Sequence, residues 1–194
     1  MLGLVSCETA SPSQAGGPST QVRFESCLVC HSTREMQRGP ILNGLQGWYA
    51  EAQMKKFRSG VRGQKPENLS EHLMGTTGIQ HLASDREIKA MAKLIDRLKP
   101  VEHLKSVRGD AANGQLVYNR CTACHGKKAE GKRLLKAPRL SHLEDWYVLD
   151  QMRKFANGQR GYHEKDANGQ VMAASSAGLT DQELKDVTVY ISEL

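Results

Sequence analysis

Apolar positions recur along this chain at helical spacing, and the stripes come in pairs. The clearest stripe is Ile88, Met91, Ala92, Ile95 and Leu98, opened by the capping box Ser84-x-x-Glu87. A second runs through Leu184, Val187, Thr188, Ile191 and Leu194 behind Thr180-x-x-Glu183. Ala50, Met54, Phe57 and Val61 share one helical face, matched later by Val148, Met152 and Phe155. Asp110 is a good N-cap for a helix through Gly114 and Tyr118. Its earlier counterpart is fainter, with Thr20 where Gly114 stands and Phe24 matching Tyr118. The predicted fold class is all-α.

The pairing is a direct internal repeat. Pro40-Ile41-Leu42 returns as Pro138-Arg139-Leu140, and Trp48-Tyr49 as Trp146-Tyr147. Gln53-Met54-Lys55-Lys56-Phe57 returns as Gln151-Met152-Arg153-Lys154-Phe155, and Gly60-Val61-Arg62-Gly63 as Gly158-Gln159-Arg160-Gly161. The expected organisation is a tether over 1–17, one domain over 18–98, a polar linker over 99–108 opened by Pro100, and a second domain over 109–194.

Each copy carries the same reactive string, Cys27-Leu28-Val29-Cys30-His31 and Cys121-Thr122-Ala123-Cys124-His125. C-x-x-C-H is the attachment signature of c-type haem. Cysteines three apart lie on one helical face, where both sulfurs can reach the vinyl groups of one porphyrin, and the following imidazole can reach the iron. A four-cysteine zinc site would want its two C-x-x-C pairs about 15–20 residues apart, far closer than Cys30 and Cys121 lie. A thioredoxin-like dithiol would sit in a parallel-sheet pattern, and none surrounds either motif. The reading is two covalently bound haem c groups with His31 and His125 as axial ligands.

The opposite ligand decides between electron transfer and small-molecule binding. Met74 and Met172 are the candidates, each at a similar interval after its histidine and in a segment of small and polar residues read as a loop. Met54, Met91 and Met152 belong to apolar helical faces and read as core. His72, His81 and His163 are the local rivals, read as solvated. Propionates at a haem edge need donors, and Arg62, Arg160, Tyr49, Tyr147, Trp48 and Trp146 recur at equivalent places. The alternative for the Trp-Tyr pairs is ordinary packing. Lys127 and Lys128 read as a solvated face.

Composition fits this chemistry. Of 194 residues, 39% are hydrophobic and 5% aromatic, a thin supply for two cores that two porphyrins would complete. The formal net charge of +6 would be largely offset by haem propionates, and no basic run interleaves with aromatics, so nucleic acid is not an expected partner. No apolar run approaches the roughly 18–20 residues of a bilayer span. Leu4-Val5-Ser6-Cys7 is similar to the end of a lipoprotein signal, with Ser11 to Thr20 as a flexible tether, although no basic residue precedes Cys7. Lipid attachment through Cys7 and a stray terminal thiol both remain open.

Together the two C-x-x-C-H strings, the following Pro-x-Leu, the G-x-R-G segments and the late methionines resemble class I c-type cytochromes. In tandem, over residues 18–194, they resemble the dihaem cytochrome c4 type. The resemblance implies two small helical domains, each wrapping one His/Met haem, with propionate edges facing across the interface. It implies that the carbonyls of Pro40 and Pro138 accept hydrogen bonds from the haem histidines. It also implies a periplasmic or membrane-attached carrier, exchanging single electrons with a quinol-oxidising complex, a respiratory oxidase or a reductase, and no catalysis. A peroxidase-like enzyme or a small-ligand sensor with one open iron is the alternative. One departure stands out: domain one lacks the Gly109-Asp110 opening and has Leu94 where Tyr190 stands, so its first and last helices should pack less closely.

Overall fold

The computed structural model describes residues 19–33 and 37–194. The readings of residues 1–17 as a tether and of Cys7 as an anchor lie outside them. Domain one contains α1 (Thr20–Leu28), α2 (Gly47–Arg58), α3 (Leu69–Thr76) and α4 (Asp85–Asp96), with a 3-10 turn over Gly78–His81. Domain two contains α5 (Ala111–Tyr118), α6 (Thr122–His125), α7 (Asp145–Ala156), α8 (Ala167–Ser176) and α9 (Asp181–Ile191), with a 3-10 turn over Arg133–Leu135. Among the described residues the extended pairing amounts to one isolated bridge, Lys132 with Ala137.

Side chains set where most helices begin. Ser19 caps α1, Asp110 caps α5 through Ala112 N and Asn113 N, and Asp166 caps α8 through Gly169 N. Both expected capping boxes close in both directions, at Ser84 with Glu87 and at Thr180 with Glu183. Helices α2 and α7 differ: the side chains of their N-cap residues, Gln46 and Glu144, make no capping bond.

The expected faces pack inward. Ala50, Met54, Phe57, Ile88, Met91, Ala92 and Ile95 form the domain-one core, with Phe24, Ile79 and Leu82. Val148, Met152, Leu184, Val187 and Ile191 form that of domain two, with Tyr118. Three stripes run past their helices: α2 ends before Val61, α4 before Leu98, which still packs against the core, and Leu194 lies beyond α9, 40% exposed instead of in the core. The segment between the domains is held against domain two. The buried Asp145 carboxylate accepts from Ser106 N, Val107 N and Ser106 Oγ at 2.6–2.8 Å.

The domains meet through a reciprocal polar cluster on α2, α7 and the turns after them. Gln53 Oε1 accepts from Arg62 Nη1 at 2.8 Å and from Arg160 Nη2 across the interface at 3.1 Å. Gln151 Oε1 accepts from Arg160 Nη1 at 2.5 Å and from Arg62 Nη2 across it at 2.9 Å. Lys56 with Asp166 and Lys154 with Ser70 Oγ add further crossings.

Candidate functional site

Both C-x-x-C-H strings form the same backbone turn. Cys30 N and His31 N bond to Cys27 O at 3.2 and 3.0 Å, and Cys124 N and His125 N bond to Cys121 O at 3.2 and 2.8 Å. In domain one the turn lies at the frayed end of α1, whereas in domain two it is α6 itself. None of the four cysteines is paired in a disulfide. Burial pushes the Cys27 and Cys121 thiols up. Among the described residues no three His, Cys, Asp or Glu side chains converge as they would on a free metal ion.

The two histidines are held alike. His31 Nδ1 lies 2.8 Å from the carbonyl oxygen of Pro40, and His125 Nδ1 lies 2.8 Å from that of Pro138. Each ring is thereby oriented, and its Nε2 is the atom left to bind a metal. Burial pushes both imidazoles down, opposed by the proline carbonyls, which favours the neutral form a ligand needs. Gly39 is required beside the first ring, since a Cβ there would lie 2.6 Å from His31 Cε1.

Met74 and Met172 are not in loops. They lie within α3 and α8, both half-buried. Small and polar residues there do not prevent a helix, because Asp166 caps α8 and Asn68 and Asp166 mark equivalent starts. Gly78 gives the Met74 sulfur room, as a Cβ there would lie 2.7 Å from Sδ. Among the rivals, His72 Nδ1 lies 3.2 Å from Gly63 O, His163 Nδ1 accepts from Lys165 N, and His81 is exposed.

The recurring donors gather at the domain interface. Arg62 and Arg160 are 4% and 5% exposed, each stacked on a phenyl ring, Phe57 at 4.5 Å and Phe155 at 4.4 Å. Among the described residues, Arg62 Nε, Arg160 Nε and the Trp48 indole nitrogen are buried without a hydrogen-bond partner. Orphaned buried donors are costly, and carboxylates such as haem propionates would satisfy them. The residues present therefore fit that group. Tyr49 OH accepts from Arg160 at 2.7 Å. Burial would push the Tyr49 phenol up, but Arg160 and Arg62 outweigh it and hold it below its usual range; burial pushes Tyr147 up. Each Trp-Tyr pair also packs edge to face, at 5.8 and 5.9 Å, and Trp146 is 36% exposed.

Sequence reading missed several residues of this cluster. Gln53 and Gln151 were visible in the repeat, but nothing local marked them as acceptors for both arginines. Glu71, 4% exposed and 2.5 Å from Arg62 Nη2, has glycine at the equivalent place in domain two. Burial alone would push its carboxyl up, yet the Arg62 guanidinium outweighs it and holds it at about 2. Gln46 and Glu144 gave no signal beyond their place in the repeat.

The cytochrome c family model matches residues 19–99 and 111–194, one match per domain. The chain is 25% identical to cytochrome c4 of Azotobacter vinelandii, over 100% of this chain and 94% of that protein. It is also 25% identical to the thiosulfate dehydrogenase electron acceptor of Stutzerimonas stutzeri strain A1501, over 87% of this chain and 79% of that one. The cytochrome c4 structure from Acidithiobacillus ferrooxidans superimposes with a TM-score of 0.70 at 24% identity, covering 88% of this chain and 99% of that one. With a matching domain, attachment string and histidine clamp in each half, the chain belongs to the cytochrome c family, as a cytochrome c4-like dihaem electron carrier with two covalently bound haem c groups.

Proposed function

We propose that this protein passes single electrons between an electron-yielding enzyme and a terminal oxidase or reductase, outside the cytoplasmic membrane, without transforming a substrate. When bound, haem supplies the one-electron couple. Cys27 and Cys30 would hold one group and Cys121 and Cys124 the other, through thioethers. His31 and His125 would each hold an iron through Nε2, with Met74 and Met172 as the second protein ligands. Arg62 and Arg160 would neutralise propionates at the interface, with Trp48, Tyr49 and Tyr147 beside them. The family resemblance points to a quinol-oxidising complex as donor. The relative named as an electron acceptor of thiosulfate dehydrogenase makes a dehydrogenase of an inorganic sulfur compound a second donor class.

The observation that carries this reading is the repeated clamp, His31 on Pro40 and His125 on Pro138, both at 2.8 Å. A ring fixed so firmly in each half suits an iron that changes oxidation state with little rearrangement. The test is the weak far-red absorption band of Met–iron bonding, recorded on wild type, Met74→Ala and Met172→Ala. Each substitution should remove one haem's share of the band; a variant that keeps the full band overturns that ligand. Carbon monoxide added to the reduced protein should bind neither haem readily, whereas rapid binding at one would favour a sensor or peroxidase-like site.

A further inference from the structure

Each candidate axial histidine is tied to the opposite domain through a single peptide group. The Pro40–Ile41 peptide accepts from His31 Nδ1 through its carbonyl and donates through its N–H to Glu144 Oε2, both at 2.8 Å. The Pro138–Arg139 peptide accepts from His125 Nδ1 and donates to Gln46 Oε1, again both at 2.8 Å. Gln46 and Glu144 are equivalent in the repeat and stand at the N-caps of α2 and α7. Such positions ordinarily cap their own helix. Here both side chains reach across the interface instead. A peptide that donates and accepts at once is polarised from both ends, so its two hydrogen bonds reinforce each other.

The symmetry fails in one respect. Gln46 offers a neutral amide oxygen, while Glu144 offers a carboxylate, 7% exposed and also accepting from Gln37 Nε2 at 2.6 Å. Hydrogen bonds to an ionised acceptor are roughly twice as strong as neutral ones. Negative charge behind the Ile41 N–H raises electron density on the Pro40 carbonyl, which then draws harder on the His31 Nδ1 proton. An imidazole that shares more of that proton donates more strongly to a metal and favours the ferric state.

We propose that Glu144 of domain two is a positioning residue for the haem of domain one: through the Pro40–Ile41 peptide it strengthens His31 as a ligand and lowers that haem's reduction potential relative to the other. The proposal rests on His31 being the axial ligand. The electron therefore settles on domain two, and the asymmetry depends on the domains staying docked.

The test uses the full dihaem protein as Glu144→Gln, Gln46→Glu and the double exchange, with each haem's potential followed by spectroelectrochemical titration. Glutamine is the residue the repeat already uses at this place, so the acceptor for Ile41 N is retained. Glu144→Gln should raise the domain-one potential alone, increasing its ferrous-to-ferric ratio at a fixed applied potential about three- to tenfold. Gln46→Glu should lower the domain-two potential alone, and the double exchange should invert the order. In the reduced protein, the His31 Nδ1 proton resonance should move upfield in Glu144→Gln, as its hydrogen bond weakens. Unmoved potentials, or equal shifts in both haems, overturn the proposal. A shifted potential with an unmoved proton resonance also overturns it, leaving only a through-space field. His31→Ala tests the underlying assignment separately: an unchanged low-spin spectrum would remove His31 as ligand, whatever Glu144 does.

Discussion

The two domains descend from one pattern yet hold their first helix against their last by different means. In domain two, α5 presses its backbone into α9: a Cβ on Gly114 would lie 2.0 Å from Asp186 O. The buried Asp186 carboxylate gathers Asp110 N, Asn113 Nδ2 and Gln182 Nε2 at 2.6–2.8 Å, and Tyr118 meets Tyr190 at 5.5 Å between ring centroids. Domain one has Thr20, Ala90 and Leu94 at the matching places, and α1 is tied to the start of α4 by Arg23, which bonds Glu87 and His81 O. Glycine permits a backbone approach that threonine forbids, so the loss of one glycine exchanges a buried crossing for a rim ion pair. Helix α1, which carries Cys27, is therefore less firmly seated than α5, which leads into Cys121.

A second contrast runs the other way. At the interface, domain one places Glu71 in a hydrogen-bonded ion pair with Arg62, while Arg160, among the described residues, bonds to the neutral Gln53, Gln151 and Tyr49. The largest expected effect follows from it. Arg62→Ala would strand a buried carboxylate and should cost about 3–5 kcal/mol. Arg160→Ala, which strands no protein carboxylate bonded to it as Glu71 is to Arg62, should cost about 1–3 kcal/mol. Denaturant unfolding of both variants measures the difference, and equal losses would erase the contrast.

Next in size is the helix crossing. Gly114→Ala forces α5 from α9 and should destabilise domain two by about 1–3 kcal/mol, read as early loss of its far-red band on heating. Thr20→Gly should change domain one by less than about 1 kcal/mol, because no close approach is waiting to form.

Acid sharpens the comparison further. The Glu71 carboxyl is depressed to about 2, so its contribution is complete above the ordinary carboxylate pKa of about 4.5 and is lost as pH falls through about 2. Glu71→Gln should accordingly differ in stability from wild type at neutral pH and converge with it across that window, in a series of unfolding curves. The smallest effect is at the rim: Arg23→Ala should weaken domain one only slightly, and less still at high salt.

Much of this was legible in order along the chain. The C-x-x-C-H spacing is local chemistry, so it marked both attachment turns without any knowledge of the fold. Capping boxes at Ser84 and Thr180 are likewise three-residue events, and the amphipathic stripes of α4 and α9 follow from helical period alone. Helical placement of Met74 and Met172 was less legible, because their short segments lack a continuous apolar stripe and are held in place by caps and neighbours. Even so, the repeat brought the right residue types into register, including Gln53 and Gln151.

The sequence by itself thus determined what each half contains: a cofactor-binding turn, a histidine, a later methionine and the helices that carry them. Only the tertiary structure decided how the halves address each other. Gln46 and Glu144 abandon their own helix ends for a peptide about a hundred residues away, and one glutamate enters the arginine cluster where its copy is glycine. Spacing encodes contacts within a turn or two, since the chain itself holds such residues together. A bond across an interface depends on the docked geometry of both surfaces, which no local pattern specifies.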